Sequence, residues 1–198
     1  YGACGFHHKK RPSYVEPGLE EPNAFVQFFV HDIEMQEGIG THVDAPAHCF
    51  ATGQTIDQMP MDHLVAPVFV IDVSDRASES YQLSAKDILD FELQYGDIKA
   101  CSFVIIRTGW ARFWGDSAKY RNNLKFPSIS EDAVSLLLRR DIRGIGIDTL
   151  SPDAGDSDFP VHRLMLGAGK YIVENIANAD ALPFVGAQIM IMPMKIEG

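Results

Sequence analysis

His42, Asp44 and His48 are the residues of this chain best placed to do chemistry. They fall within Gly40-Thr41-His42-Val43-Asp44-Ala45-Pro46-Ala47-His48, at positions of equal parity. An extended backbone would aim all three at one wall. Pro46 fixes its own φ and steers Ala45 away from helix, which favours an extended or turning path. A neutral imidazole beside a carboxylate is a start for a Zn²⁺ or Mn²⁺ site. Two such ligands do not complete a site, so the others have to come from elsewhere in the chain. Cys49 has the opposite parity to His48 and reads as a buried small hydrophobe rather than a nucleophile.

Only a few other ionisable residues border apolar segments. Asp148 follows Gly144-Ile145-Gly146-Ile147, His162 lies between Pro160 and Leu164, and Glu174 ends Tyr171-Ile172-Val173. A carboxylate buried there is costly unless it meets a cation or hydrogen-bond donors. Taken alone, the three are equally a capping aspartate, a loop histidine and a strand-end charge. His7, His8, His31 and His63 read as surface or structural histidines. The group Trp110, Phe113 and Trp114 reads as core packing, with closure over an aromatic substrate as the second reading, and Phe25, Phe28 and Phe29 admit the same pair.

The elements that would position these residues alternate between strand and helix. Residues 1–23, with Pro12, Pro17 and Pro22, read as an N-terminal arm or loop, and residues 24–198 as one α/β domain. Ala24 to Ile33 is rich in aromatic and β-branched residues and predicts a strand. A short helix is expected near Met59–Leu64. Ala66–Val73 and Cys101–Arg107 are nearly continuous apolar runs, as buried strands are. Ser84-Ala85-Lys86-Asp87 and Ser130-Glu131-Asp132-Ala133 have the shape of helix caps. Gly144 to Asp148 predicts a short strand. Turns around Gly167 and Gly169 lead to a strand at Tyr171–Glu174, and Pro183–Met194 predicts a last β segment. Gly144-x-Gly146 lacks the third glycine and the following helix of a dinucleotide fingerprint.

Composition narrows the function classes. The chain has 198 residues, 46% hydrophobic and 22% charged, values ordinary for one globular domain. A formal net charge of −10 argues against nucleic acid or an anionic membrane as partner, since phosphate binding needs concentrated Lys and Arg. Three widely spaced cysteines predict reduced thiols rather than a disulfide framework, and a cytoplasmic setting. No apolar run reaches transmembrane length, and no hydrophobic secretory segment opens the chain. Because it begins at Tyr1 rather than Met, a longer product and a lost targeting peptide stay open.

The Gly40–His48 block resembles the signature of the cyclase family of metal-dependent hydrolases, His-x-Gly-Thr-His-x-Asp-x-Pro-x-His, in all but its first His. Gly146-Ile147-Asp148-Thr149, His162-Arg163-Leu164-Met165-Leu166 and Val173-Glu174-Asn175-Ile176-Ala177-Asn178 resemble further family blocks, in the family's order. The resemblance implies a swivelling β/β/α domain with a mixed sheet, assembled as a homodimer or larger oligomer. It implies a divalent metal, Zn²⁺ or Mn²⁺, held by His42, Asp44, His162 and Glu174, with His48 as general acid/base. Imidazole titrates near neutrality and suits that proton transfer. Thr41 would orient the loop or hydrogen-bond a ligand carboxylate. The implied reaction is hydrolysis of a small amide, with an aryl formamide of the N-formyl-kynurenine type as the leading reading and a cyclic amide of the isatin type as the runner-up. Gly38 stands where the signature's first His would fall. A single-metal site, a site rearranged around Glu37 or Gln36, and a binding protein without turnover are the three outcomes that follow.

Overall fold

The computed structural model of this chain describes residues 6–10 and 31–197. It divides into two units, Tyr1–Ile39 and Gly40–Gly198. In the first, β1 (His7–Lys10) pairs antiparallel with β2 (His31–Glu34), His7 opposite Glu34. Within the residues expected as arm or loop, His7–Lys10 is therefore a strand. Of the strand expected over residues 24–33, positions 24–30 lie outside the described residues.

The second unit is built on a six-stranded mixed sheet. Its strands are β3 (His42–Asp44), β4 (Val65–Asp72), β6 (Phe103–Arg107), β8 (Gly144–Ile147), β9 (Tyr171–Glu174) and β10 (Val185–Met190). They lie in the order β10-β4-β6-β8-β9-β3. The inner four are parallel, while β10 on β4 and β3 on β9 run antiparallel. A separate parallel pair joins β5 (Gln82–Leu83) to β7 (Ser128–Ile129).

The unbroken apolar runs of the inner strands follow from burial on both faces. Successive side chains alternate across the sheet. Val104, Ile106, Ile145, Ile147 and Ile172 thus enter one core, and Phe103, Ile105, Tyr171 and Val173 the other. The first core is covered by α1 (Ala85–Tyr95), α3 (Glu131–Arg139) and α4 (Pro160–Gly167), through Ile88 and Phe91, Val134 and Leu137, and Val161 and Met165. Ser84 and Ser130 cap α1 and α3 as their sequences predict, Ser84 in a full capping box with Asp87. Between them lies the short α2 (Ser117–Arg121). The segment near Met59–Leu64 is one 3₁₀ turn, Met61–His63.

Gly146 explains the glycine pair that is not a nucleotide loop. A Cβ there would stand 2.3 Å from Ile176 Cδ1 and 3.0 Å from the Phe103 ring. The missing side chain lets the segment after β9 cross β8 closely. No helix among the described residues is long and apolar enough to cross a membrane.

Candidate metal centre

β3 is the edge strand beside β9, and its register sets His42 directly opposite Glu174. Opposed residues of an antiparallel pair have neighbouring Cβ atoms, and equal parity puts Asp44 on the same face as His42. α4 packs against this end of the sheet and brings in His162. The structure thus gathers His42 and Asp44 from β3 with His162 and Glu174 from α4 and β9, which follow more than a hundred residues later in the chain.

Each imidazole is oriented from behind. His42 Nδ1–H donates to the Gly40 carbonyl at 3.0 Å. Its Nε2 faces Asp44 Oδ1 at 3.5 Å and Glu174 Oε2 at 3.4 Å. His162 Nδ1 makes a 2.7 Å hydrogen bond to Asp153 Oδ2. Its Nε2 faces Asp44 Oδ2 at 3.7 Å and Glu174 Oε1 at 3.5 Å. The carboxylates are buried, yet Asp44 Oδ2 and both oxygens of Glu174 have no hydrogen-bond partner.

Buried carboxylate oxygens without donors are expensive, and the electrostatics of the cluster respond to that. Burial, with Asp44 nearby, raises the Glu174 pKa although His162 and His42 pull it down. For His162, burial works to lower the pKa. The hydrogen bond to Asp153 and the nearby carboxylates of Asp44 and Glu174 overcome it and push the value up to about 12. Both shifts have one cause, a buried pocket that needs positive charge between its carboxylates.

A divalent cation meets that need. Ligand atoms held tetrahedrally at about 2.1 Å from an ion stand roughly 3.4 Å apart. The 3.4–3.7 Å separations between each imidazole and the two carboxylates are of that size, the two histidines facing different carboxylate oxygens. His42, Asp44 and Glu174 form one set of ligand atoms mutually within 4.8 Å, and Asp44, His48 and His162 another. The residues present therefore fit a metal, with neutral nitrogen and carboxylate oxygen donors suited to Zn²⁺ or Mn²⁺.

His48 reaches the cluster by a route that strand parity does not describe. β3 ends at Asp44, and Pro46 opens a 3₁₀ turn, Pro46–His48. Gly53 packs so tightly on this turn that a Cβ would lie 2.5 Å from the Pro46 carbonyl carbon. The turn leaves His48 exposed at the rim, with ligand atoms of Asp44, His48 and His162 mutually within 4.8 Å. Cys49 is exposed as well, not buried as its parity suggested. Its partial burial, together with Asp44, Asp153 and Glu174, raises the thiol pKa against a pull from His162. The reactive thiolate is correspondingly scarce at neutral pH.

Sequence reasoning missed the supports. Asp153 is buried and accepts from Val161 N–H at 2.9 Å and His162 N–H at 3.0 Å as well as bonding the His162 ring. One carboxylate therefore caps α4 and fixes the histidine that α4 carries. The signal available was negative: Phe159-Pro160 opens a helix with no capping side chain of its own, so an acceptor has to come from elsewhere. Behind Glu174, Thr41 Oγ1–H donates to the Asn175 carbonyl at 2.7 Å, and Tyr120 O–H donates to Asn175 Oδ1 at 2.9 Å. Asp148 is not part of the cluster; it accepts from Thr108 N–H and Oγ1–H at 2.8 and 2.6 Å. Trp110 is buried and Phe113 packs beside it, whereas Trp114 is exposed. Gln36, Glu37 and Gly38 belong to the unit Tyr1–Ile39, described by itself.

Fold and cluster together define an α/β protein with a candidate metal centre at the edge of a mixed sheet. Residues 5–154 match the family described as "Putative cyclase", and the chain belongs to that family. It is 34% identical over 177 residues to an isatin hydrolase of Roseibium aggregatum, covering 81% of this chain and 67% of the relative. With a kynurenine formamidase of Salinibacter ruber it shares 27% over 164 residues, covering 80% and 69%. Isatin hydrolase A of Labrenzia aggregata, solved bound to benzyl benzoate, superposes with a TM-score of 0.87 at 32% identity, covering 100% of this chain and 80% of that one.

Proposed function

We propose that this chain is a metal-dependent amidohydrolase that opens the C–N bond of a small aryl amide. The observation that carries the reading is the convergence of His42, Asp44, His162 and Glu174, with orphaned carboxylate oxygens, beside the exposed His48. A divalent ion held by those four side chains would supply Lewis acidity, polarising the amide carbonyl and lowering the pKa of the attacking water. His48 takes the water's proton on a ring nitrogen and returns it to the departing nitrogen. His42 and His162 have their Nε2 atoms turned toward the carboxylates because Gly40 and Asp153 hold their Nδ1 atoms, and a bound ion would take the place of the proton on His162. The raised Cys49 pKa speaks against a thiolate nucleophile and for attack by water.

Two substrates divide this reading. The relative with 34% identity is an isatin hydrolase, which favours a cyclic amide. The aryl formamide, the leading class at the level of family resemblance, keeps the support of the kynurenine formamidase match.

The test is turnover by purified protein loaded separately with Zn²⁺ and Mn²⁺. Isatin opening is read by loss of its absorbance, and deformylation of N-formyl-kynurenine by released formate. Activity on either that His48→Ala abolishes while metal content stays unchanged supports the proposal. Normal metal content with no turnover of either amide would leave a metal-binding relative without the activity.

A further inference from the structure

Phe159 sits in a conformation that its side chain does not favour. It is the residue before α4, with φ 54° and ψ 50°, the left-handed region that bulky L residues seldom enter. Elsewhere this chain fills such positions in the expected way: of eight described non-glycine residues with positive φ, five are Asn or Asp. Leu124, another bulky exception, lies where a Cβ on Gly155 would meet its side chain at 2.4 Å. Phe159 is not held by burial in a core, because its side chain is 47% exposed. A bulky ring kept at a strained, half-exposed position next to a functional residue calls for a use outside folding.

Its surroundings indicate which use. The Phe159 ring stands edge-on to His162, with centroids 6.0 Å apart and planes at 84°. His162 in turn lies 6.1 Å from the His48 ring. The exposed Phe159 and the exposed His48 thus each border the ring of the buried His162.

We propose that Phe159 is a specificity-determining residue whose exposed ring is a wall for the aromatic ring of the substrate. This rests on the amidohydrolase reading and adds to it the residue that favours aryl over saturated amides. Aromatic pairs in offset or edge-to-face contact contribute about 0.5–1.5 kcal/mol beyond area burial, which corresponds to roughly a three- to tenfold preference.

The test compares formanilide with N-cyclohexylformamide, rings of similar size with and without a π face, in the metal-loaded wild type and in Phe159→Asn. Asparagine tolerates the left-handed backbone, so the variant folds with a melting temperature equal to or above the wild type's. The kcat/KM ratio of aryl to cyclohexyl substrate should fall about three- to tenfold in Phe159→Asn, mainly through KM. Leaving-group differences cancel in that double ratio. An unchanged ratio, or equal loss on both substrates, would overturn the proposal. The function reading fails only if isatin and N-formyl-kynurenine are not turned over either. Where this pair is not turned over, calorimetric binding of the same two compounds decides the present proposal: the wild type should prefer formanilide and the variant should not. Metal content is measured throughout, because a drop in Phe159→Asn would mean the ring only supports His162.

Discussion

Replacing Asp153 with asparagine should weaken metal binding while leaving the fold standing. The carboxylate serves three donors, Val161 N–H, His162 N–H and the His162 ring, at 2.9, 3.0 and 2.7 Å. Asparagine keeps the volume but has one acceptor oxygen, so its amide group faces a donor whichever way it is turned. If the oxygen stays toward Val161, the imidazole is free to rotate or change tautomer, and Nε2 is no longer held toward Asp44 and Glu174. Losing a carboxylate behind a ligating histidine costs about 10–100-fold in metal affinity, or about 1–3 kcal/mol. One frustrated buried donor adds about 1–3 kcal/mol of destabilisation. For a chain of this length that lowers the melting temperature by very roughly 2–10 °C. Competition against a chelating dye reads the affinity, and ¹⁵N chemical shifts of His162 read the tautomer. An Asp153→Asn protein that binds Zn²⁺ as tightly as wild type, with unchanged His162 shifts, would refute the idea that this carboxylate sets the ligand.

Three further outcomes follow from the same geometry. Stripping metal with EDTA should lower the melting temperature by about 5 °C or more, because an ion at a hundredfold excess over its Kd contributes about 2.7 kcal/mol. Restored metal should reverse the loss, and identical melting curves would remove the cation from the cluster. Glu92 receives two hydrogen bonds from Arg140 at 2.8 and 2.7 Å, which outweigh its burial and hold its pKa below the usual carboxylate range. Its contribution is present above about pH 4.3, the unfolded value, and is lost as pH falls through the lower folded value. Acid melts should therefore show a shallower loss of stability in Glu92→Gln than in wild type, and parallel curves would contradict this. Gly146→Ala should cost about 1–3 kcal/mol in urea unfolding by driving a methyl group into Ile176 Cδ1. Adding Ile176→Val removes that atom and should recover part of the loss; no recovery would mean the clash lies with Phe103.

How much of this was legible in the sequence depends on the range over which each residue acts. The buried strands at Phe103–Arg107 and Tyr171–Glu174 declare themselves through continuous apolar runs, and α1 and α3 through capping serines. Those signals are local. The pairing of His42 with Glu174 joins residues on separate strands far apart in sequence, and no spacing rule on one chain predicts it. α4 escaped because it is short, opens with Phe-Pro and ends at Gly167, so its residues read as loop and turn. His162 was consequently expected on a loop, although a helix carries it. Parity failed for His48 and Cys49 for a single reason: Pro46 ends the extended path on which the alternation depends.

The residues that sequence reasoning missed or misread have something in common. Asp153, Phe159 and the Pro46 turn each depart from what their local sequence favours: a helix capped from outside, an aromatic ring at left-handed φ, a strand cut short by proline. Each departure also sits within reach of His162 or His48. A chain folds reliably where its local preferences agree with the global structure, and it tolerates disagreement where some other requirement is stronger. At this edge of the sheet the stronger requirement is to hold two imidazole nitrogens against two buried carboxylates. Relieving the disagreements should therefore separate stability from site function. Phe159→Asn relaxes the backbone without strengthening the site, and Asp153→Asn loosens the histidine without dismantling the sheet. Were both variants simply less stable and otherwise unchanged in metal binding and substrate preference, the departures would be ordinary packing and the site would owe them nothing.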